Sequence, residues 1–338
     1  MWHSLEAIKA WRASITSCNM WCYFARRKAI PIQPAHRVLR VEHEPAEHID
    51  HSSCSAQRKM LRFTTVDGQA LIFLHIPKTA GTTLNRIIER QYNPLSIFTL
   101  DPYRIRATAE RFKTLSEERR RRIRVVRGHL YYGLHEFLPQ GATYITMLRE
   151  PVARFLSSYY FILRRPLHPL HRKLKKERLG VEEYLRLIPH RDNFQCRLVA
   201  GVENGTSCDD RLLEIAKENL VKSFNVVGIC ERFEESLLLM AKTFGWELPF
   251  YENRKVSKIR PVVEPRLVDL IGARNRLDVE LYEFGKKLFA ERLCKNEGAM
   301  REGLATLRAI PRPGKLKNLC QSSLATGRFL LSKIASAI

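Results

Sequence analysis

The sequence predicts an α/β fold with a mainly parallel sheet flanked by helices. Short apolar runs alternate with helix-length amphipathic stretches along the 338 residues, and no sustained series of hairpins occurs. Hydrophobic residues make up 45% of the chain and charged residues 28%, as in ordinary globular proteins. We therefore expect a packed core and exclude wholesale disorder.

Three regions are predicted along the chain. Residues 1–60 are expected to form a loosely ordered basic arm, because residues 29–50 carry three prolines and no sustained periodicity. The folded domain is predicted to span 61–295, and a basic, helical extension is predicted at 296–338. Docking of this extension on the domain is favoured over peripheral contact with an anionic membrane.

The first strand is predicted in the apolar run "ALIFLHI" at 70–76. Apolar residues at helical spacing then predict a helix over 82–92, for which Thr82 or Thr83 is the natural N-cap. The stretch "HIPKTAGTT" at 75–83 therefore lies between a strand and a helix.

This joint has the composition of an anion site. The backbone N–H groups of residues 79–83 can point into one concavity, where the helix dipole adds partial positive charge. Gly81 permits a close backbone approach, and Lys78 supplies a full charge. The nucleoside-triphosphate motif G-x-x-x-x-G-K-[ST] does not fit, because Lys78 precedes Gly81. Taken in isolation, the loop leaves an ordinary capped helix as the alternative.

Buried strands and helices continue to alternate along the chain. Pro151 lies in the first turn of its predicted helix, where proline is tolerated. The further predicted elements are a basic helix at 104–124, strands at 125–130 and 142–149, a helix at 150–165, an exposed basic stretch at 168–180, a strand at 224–231, and helices at 232–245 and 276–293.

A second anion site is predicted in "LREPVARFLSSYY" at 148–160. Arg149 lies at the carboxyl end of its strand, where ligands collect in open α/β sheets. In the following helix Arg154, Ser157 and Ser158 are spaced to share one face, which can offer charge-assisted contacts to a phosphate. Two anion sites on parallel strands predict a ligand with phosphates at two separated points.

Together these motifs resemble those of sulfotransferases that use 3′-phosphoadenosine 5′-phosphosulfate (PAPS). "FLHIPKTAGTTL" resembles their 5′-phosphosulfate loop. "RGHLYYGL" with "MLREPVARFLSSYYF" resembles the catalytic strand and 3′-phosphate site of the carbohydrate branch, sulfotransferase family 2, which contains heparan sulfate 2-O- and 6-O-sulfotransferases. The resemblance continues in "DNFQCRLVAG", "VVGICERFEESLLLM", "NRKVSK" and "LDVELYEFGKKLF", and so covers about residues 70–290. It implies a P-loop-kinase-like sulfotransferase fold and transfer of a sulfuryl group from PAPS to a carbohydrate hydroxyl, with no metal required.

The resemblance also implies a role for each residue of the donor site. Lys78 resembles the lysine that contacts the transferring sulfuryl group and stabilises charge on the oxygen that links it to phosphate. Arg149 and Ser157 are implied to bind the 3′-phosphate. Ser257 and Lys258 resemble part of a late loop that closes over the nucleotide. The residues implied to hold the 5′-phosphate are Lys78, Thr79, Ala80, Gly81, Thr82 and Thr83.

His129 matches the catalytic histidine of the family and is the candidate base. Histidine titrates near neutrality, and we expect its strand to lie beside the first one, with Gly128 opening space. The 2-O-sulfotransferases resemble H-G-H where this chain has Arg127-Gly128-His129. We therefore expect Arg127 to bind an acidic acceptor. His75, inside the loop, is expected to pack under the strand end.

The charge balance predicts an anionic partner. Fifty-eight Lys and Arg against 35 Asp and Glu give a net charge of +23. The basic runs at 119–124 and 164–178 are either solvated helix faces or an electropositive groove for a sulfated or carboxylated glycan. Nucleic acid is not expected, because no reader motif accompanies these runs. A basic nucleic-acid- or membrane-surface-binding protein and a nucleotide-dependent kinase remain the alternatives. The kinase is disfavoured because the sequence has neither a Walker motif nor an apparent magnesium-binding aspartate.

Cysteine usage and hydropathy bear on location. The eight cysteines are scattered without a repeating framework, which favours a reduced compartment. Cys18, Cys22 and Cys54 with two nearby histidines match no zinc template, so no metal site is predicted. No apolar run of about 18 residues and no clear signal peptide is present. We therefore expect a cytoplasmic enzyme, and a bacterial member of the family fits.

Overall fold

The computed structural model describes residues 68–188, 192–203, 208–247 and 263–309. The chain divides into two units, Met1–Arg58 and Lys59–Ile338, and every described residue belongs to the second. The arm predicted at residues 1–60 and the extension beyond residue 309 lie outside the described residues.

Five strands form a single sheet in which all neighbouring strands are parallel. All residues of the first strand are buried, as expected for a strand with both faces covered. The spatial order is β2-β3-β1-β4-β5, and this confirms the predicted α/β class. In chain order the strands are β1 (Ala70–Leu74), β2 (Ile97–Thr99), β3 (Val125–Gly128), β4 (Ala142–Leu148) and β5 (Phe224–Ile229).

Helices flank the sheet and connect its strands. They are α1 (Gly81–Gln91), α2 (Ile105–Lys113), α3 (Glu117–Arg122), α4 (Pro151–Leu163), α5 (His171–Lys176), α6 (Val181–Leu187), α7 (Phe194–Ala200), α8 (Asp210–Ser223), α9 (Phe233–Phe244), α10 (Pro265–Arg274), α11 (Arg276–Cys294) and α12 (Glu297–Ala309). Short 3₁₀ turns occupy Pro94–Ser96, Leu134–Phe137 and Cys230–Arg232.

Several predicted elements differ from those observed. The single basic helix expected at 104–124 is two helices, α2 and α3, because the Ser116 hydroxyl accepts a hydrogen bond from the Arg119 N–H and starts a new helix. Strand β2 was not predicted, since three residues are too few to show a periodicity. The threonine N-cap expected for α1 is wrong: the N-cap is Ala80, and no side chain caps this helix.

Two apolar clusters hold the domain together. The larger one surrounds the sheet and includes every residue of β1. The smaller one joins α4 to α5, α6 and α10, with Phe155, Tyr184 and Ile271 among its buried members. In this smaller cluster the Tyr159 hydroxyl donates to the Leu179 carbonyl at 2.9 Å, which fixes α4 against the segment before α6. Helix α4 is therefore anchored through this smaller cluster.

Within the described ranges, none of the helices combines the length and apolar composition that a membrane span requires. The expected cytoplasmic location stays a prediction.

Candidate active site

The carboxyl ends of three adjacent strands bring the predicted site residues together. Strand β1 lies between β3 and β4, and Leu74 pairs with Gly128 on one side and with Thr146 on the other. After β1, the chain first adds β2 and β3 on one side of β1 and then β4 and β5 on the other side. The direction in which strands are added to the sheet therefore reverses at β1. Ligands of open α/β sheets bind at such switch points. His129 and Arg149 follow β3 and β4 at this edge.

The loop after β1 has an unusual backbone. Lys78 has a φ of 74° and Ala80 a φ of 62°, values in the left-handed region that residues other than glycine seldom adopt. Such conformations persist where the surrounding structure enforces them, and they cluster at functional sites. Thr79 is fully buried, and its hydroxyl donates to the Ile76 carbonyl at 2.8 Å. The Thr79 side chain thus closes the loop internally.

The first turn of α1 is open to an anion. Its N-cap, Ala80, has no capping side chain, and no acidic residue occurs in the first turn. The Thr83 N–H of this turn donates to the Ala80 carbonyl at 2.9 Å, but the N–H groups before it precede the first intrahelical bond, and the helix dipole makes this end positive. An anion at this end would therefore find both donors and positive potential.

The start of α4 is different, because the chain caps it with its own carboxylate. Glu150 accepts hydrogen bonds from the N–H of Val152 at 2.9 Å and from that of Ala153 at 2.6 Å. The two strand-helix joints that look alike in sequence thus differ in structure. Of these two joints, only the one after β1 leaves its helix start without a side-chain cap.

A pair of histidine rings in contact lies beside the loop, tilted by 36° to one another. The ring centroids of His75 and His129 are 4.5 Å apart, and His75 also stacks on Phe73 at 5.3 Å. A Cβ atom at Gly81 would overlap the His75 ring, so glycine is needed there because of this ring. As predicted, His75 is packed at the strand end.

The His129 ring is held in one orientation. Its Nδ1 lies 2.8 Å from the His75 carbonyl oxygen, and since a carbonyl only accepts, Nδ1 carries the proton. In the neutral ring Nε2 then has the free lone pair. Burial lowers the pKa of His129 below its ordinary 6.5, and the hydrogen bond to His75 opposes this only in part. At pH 7 the ring is therefore neutral and able to accept a proton at Nε2.

The Lys78 ammonium group lies over an aromatic ring of α4. Its Nζ is 4.1 Å from the centroid of Phe161, and the guanidinium carbon of Arg165 is 5.3 Å from the same centroid. Cation–π attraction accounts for both placements. The loop lysine thus contacts the C-terminal end of α4, and the basic stretch predicted at 168–180 follows this helix in the chain.

Arg149 connects the two sequence motifs. Its Nη1 donates to the Lys78 carbonyl at 2.9 Å, so the side chain after β4 holds the loop after β1. Its Nε lies 3.9 Å from Glu231 Oε1, too far for a hydrogen bond. The Glu231 carboxylate instead accepts from the Glu150 N–H at 3.3 Å and from the Tyr282 hydroxyl at 3.0 Å.

Arg127 does not face the site. Its side chain is 2% exposed and forms a 2.7 Å ion pair with Glu89 of α1. It also donates to the Thr99 hydroxyl at 3.1 Å and to the Asn85 carbonyl at 3.2 Å. An acceptor could reach this guanidinium only if α1 moved away. We therefore assign Arg127 to holding α1 against β3 and do not carry forward its expected role in acceptor binding.

The polar face predicted on α4 is largely occupied. Arg154 is buried and lies 3.6 Å from Asp278, and the Ser158 hydroxyl is 3.1 Å from that of Tyr184. Ser157 is half-buried and remains a candidate. The other two nucleotide candidates, Ser257 and Lys258, lie outside the described residues.

Sequence reasoning missed several residues around the site. Glu150 was overlooked as a cap because glutamate is an uncommon N-cap, although the following proline signals a helix start. Gln195 lies in the motif "DNFQCRLVAG", but the resemblance implies no role for it. Phe161 and Glu231 also lie in matched motifs, but the resemblance implies no role for either. In the part of the chain that the structure covers, no group of three or more His, Cys, Asp or Glu could hold a metal ion.

Comparison with known proteins points to one group. A model of the galactose-3-O-sulfotransferase family matches residues 44–326. Galactose-3-O-sulfotransferase 3 of Bos taurus is 28% identical, over 66% of this chain and 57% of the bovine protein. Heparan-sulfate 6-O-sulfotransferase 2 of Gallus gallus is 26% identical over 80% of both chains. Heparan sulfate 2-O-sulfotransferase 1 of Gallus gallus is 24% identical, over 73% of this chain and 78% of its own length.

These matches confirm the kind of family that the motifs predicted and add the galactose-3-O branch, which the motifs did not indicate. The chain spans little more than half of the bovine relative. The expected bacterial origin stays a prediction.

Proposed function

This chain belongs to the galactose-3-O-sulfotransferase family, a family of carbohydrate sulfotransferases, and from that premise we propose that it transfers a sulfuryl group from PAPS to a carbohydrate hydroxyl with His129 as the base. The observation that carries this proposal is the 2.8 Å contact between His129 Nδ1 and the His75 carbonyl. It leaves a neutral imidazole with a free Nε2 at the strand edge where the anion-binding loop begins. General base catalysis requires such a group.

The donor is proposed to lie across the ends of β1 and β4. The uncapped N-terminus of α1 supports binding of the 5′-phosphate by the backbone of residues 79–83. Arg149 and Ser157 follow β4 and are proposed to bind the 3′-phosphate, with Ser257 and Lys258 as further nucleotide contacts. Lys78 is proposed to contact the sulfuryl group and the bridging oxygen. These residues suit a ligand with two separated phosphates better than a triphosphate.

The proposed reaction is one in-line displacement. The acceptor hydroxyl oxygen forms a bond to sulfur while the bond between sulfur and the bridging oxygen breaks. The hydroxyl proton moves to His129 Nε2, and the bridging oxygen keeps the electron pair of the broken bond. Adenosine 3′,5′-bisphosphate leaves, and the imidazolium later returns its proton to solvent. Charge builds on the bridging oxygen, where an ammonium group such as that of Lys78 stabilises it.

Lys78 must move to do this. Its Nζ lies over Phe161 at 4.1 Å, and this half-buried cation gives up a cation–π contact of about 0.5–2 kcal/mol when it leaves the ring. The Lys78 backbone is held by Arg149, so the side chain can swing while its origin stays fixed. A phosphosulfate bound at α1 would offer stronger attraction than the ring does.

The acceptor is proposed to be an acidic carbohydrate. A cationic segment, residues 164–178, starts at the end of α4 beside Phe161, so it begins next to Lys78. One acidic residue, Glu177, interrupts it. Its exposed cations are Arg164, Arg165, Arg172, Lys173, Lys175, Lys176 and Arg178. Such a surface raises the local concentration of a polyanion and would direct it towards the catalytic lysine.

Two measurements test the proposed activity. The melting temperature should rise in adenosine 3′,5′-bisphosphate without magnesium, because a ligand that binds only the folded state stabilises it. Labelled sulfate should then pass from PAPS to a carbohydrate. No shift at millimolar ligand, or a shift only with ATP and magnesium, would favour a kinase or a binding protein instead.

A paired charge comparison tests the acceptor class. In the double variant Lys175→Gln/Lys176→Gln, KM for a glycan bearing carboxylates or sulfates should rise about threefold to tenfold, and high salt should abolish the difference. The matched control, Lys242→Gln/Lys287→Gln, removes two exposed lysines from α9 and α11. A wild-type enzyme that sulfates only neutral galactosides would contradict the acidic acceptor and leave the sulfotransferase proposal intact.

A further inference from the structure

Gln195 of α7 forms a two-way hydrogen-bonded pair with the backbone of Arg149. The Arg149 N–H donates to Gln195 Oε1 at 3.0 Å, and Gln195 Nε2 donates to the Arg149 carbonyl at 2.9 Å. Gln195 is fully buried. Its side-chain amide thus pairs with Arg149 as a neighbouring strand would, just beyond the end of β4.

Gln195 is itself held by an interlocked pair of helix starts. Asp278 of α11 accepts from the N–H of Gln195 at 3.1 Å and from that of Cys196 at 2.8 Å, so it caps α7. In return, the Asn193 side chain accepts from the N–H of Leu277 at 3.0 Å, at the start of α11. Each helix therefore caps the other, and Asp278, Asn193 and Gln195 are all buried.

We propose that Gln195 is a positioning residue for the donor site: it fixes the Arg149 backbone, and through Arg149 it fixes the Lys78 loop. The second step is the 2.9 Å hydrogen bond from Arg149 Nη1 to the Lys78 carbonyl. The inference rests on the proposed function, because Arg149 is proposed there to bind the 3′-phosphate. Gln195 does not itself touch the donor.

An amide is required at this position. The backbone of Arg149 offers one donor and one acceptor side by side, and a side chain must supply the reverse pair to match both. Among uncharged side chains of this length only glutamine does so. Arg149 is half-buried, and a backbone group left unpaired there would favour a shift of the residue towards another partner, because such groups are nearly always hydrogen-bonded.

The test compares two glutamines at opposite ends of β4. Gln195→Met removes the amide and keeps the side-chain length. Gln140→Met is the control: its side chain donates to the carbonyls of Arg120 and Ile123 at 3.0 and 2.8 Å, before β4 begins. Calorimetry would measure the dissociation constants of adenosine 3′,5′-bisphosphate and adenosine 5′-monophosphate. Their ratio reports the contribution of the 3′-phosphate alone.

In Gln195→Met the preference for the bisphosphate should fall about tenfold, the effect of one misplaced charge-assisted hydrogen bond. In Gln140→Met it should stay at the wild-type value. A residue with a merely structural role would weaken both nucleotides equally and leave the ratio unchanged, and that result would overturn the inference.

If the proposed function is wrong, the wild-type protein itself should give a different result in these binding measurements. A wild-type protein that binds neither nucleotide contradicts the donor site itself, whereas a wild type that prefers the bisphosphate keeps the proposed function whatever Gln195→Met shows. If Gln195→Met does not fold, Gln195→Asn replaces it, because the shorter amide stays polar but cannot pair with both Arg149 groups. An unchanged ratio in Gln195→Asn overturns the inference in the same way.

Discussion

His129 Nδ1 donates to the backbone carbonyl of His75 across 2.8 Å, and this hydrogen bond joins the end of β3 to the end of β1. Because Nδ1 is engaged, Nε2 is the nitrogen left to accept a proton. The contact between the two rings, whose centroids are 4.5 Å apart, adds a second constraint on the same orientation. The candidate base is thus oriented by the backbone of the loop that is proposed to bind the donor.

The pH dependence of the reaction should reflect the lowered pKa of His129. Burial lowers this pKa below 6.5, so the active neutral form persists as the pH falls through 6.5 and is lost only below it. The acidic limb of the kcat/KM profile should therefore lie below pH 6.5. An acidic limb at or above pH 6.5 would contradict this assignment.

The same lowered pKa makes His129 a source of acid sensitivity. The unfolded chain binds a proton near pH 6.5, while the folded chain does so only at lower pH, so its contribution to stability falls as the pH drops from 6.5 through the folded pKa. Urea unfolding at pH 7 and at pH 5 should show a smaller loss of stability in His129→Asn than in the wild type.

Replacing Lys78 should slow chemistry more than it weakens binding. In Lys78→Ala, kcat should fall by about 100-fold or more, because the charge on the bridging oxygen loses its stabilising cation. Affinity for adenosine 3′,5′-bisphosphate should change far less, since the start of α1 stays uncapped. Steady-state kinetics and calorimetry measure the two effects. The neighbouring variant Phe161→Leu, which removes only the ring beneath the ammonium, should keep most of its kcat.

Replacing Gly81 should disturb the histidine pair. A methyl group at this position would overlap the His75 ring, and overpacking of this kind costs about 1–3 kcal/mol. The displaced ring would also shift His129, so Gly81→Ala should reduce kcat by about tenfold. The control is Gly272→Ala in α10, where an added Cβ meets open space and helix propensity improves. Equal activity of both variants would argue against the coupling.

The buried Arg127–Glu89 pair gives a stability prediction. Arg127→Met should destabilise the fold by about 3–5 kcal/mol, because it leaves the Glu89 carboxylate buried without its partner. The double variant Arg127→Met/Glu89→Leu should recover much of this loss in denaturant unfolding. KM for the acceptor should stay unchanged in the double variant. A selective rise in that KM would restore Arg127 to acceptor binding.

The sequence predicted the sheet and the strand-loop-helix joints because these features are local. Buried strands such as β1 show an apolar run, and the glycine and lysine of the following loop are visible in order. The role of Arg127 could not be predicted, because its partner Glu89 lies on another element. The pairing of Gln195 with Arg149 spans 46 residues, and no local pattern reports such a contact.

The cap of α4 shows the same limit. In sequence, the joints after β1 and β4 look alike: the first predicts an anion site at a helix start, and the second predicts one formed by Arg149 and a polar face of the following helix. In the structure the Glu150 side chain folds back onto its own helix, so the α4 start is filled. Whether a glutamate caps or points outward depends on its rotamer, which a motif does not specify. An anion at this joint would therefore have to bind the Arg149 side chain and not the start of α4.

The most direct test of the central claim is a single-turnover transfer assay with sulfur-labelled PAPS, run on the wild type and on His129→Ala at matched donor saturation. The wild type should move label to a carbohydrate hydroxyl. His129→Ala should bind adenosine 3′,5′-bisphosphate normally yet transfer label at least about 100-fold more slowly. Near-wild-type transfer by His129→Ala would contradict the account, because another group would then have to act as the base.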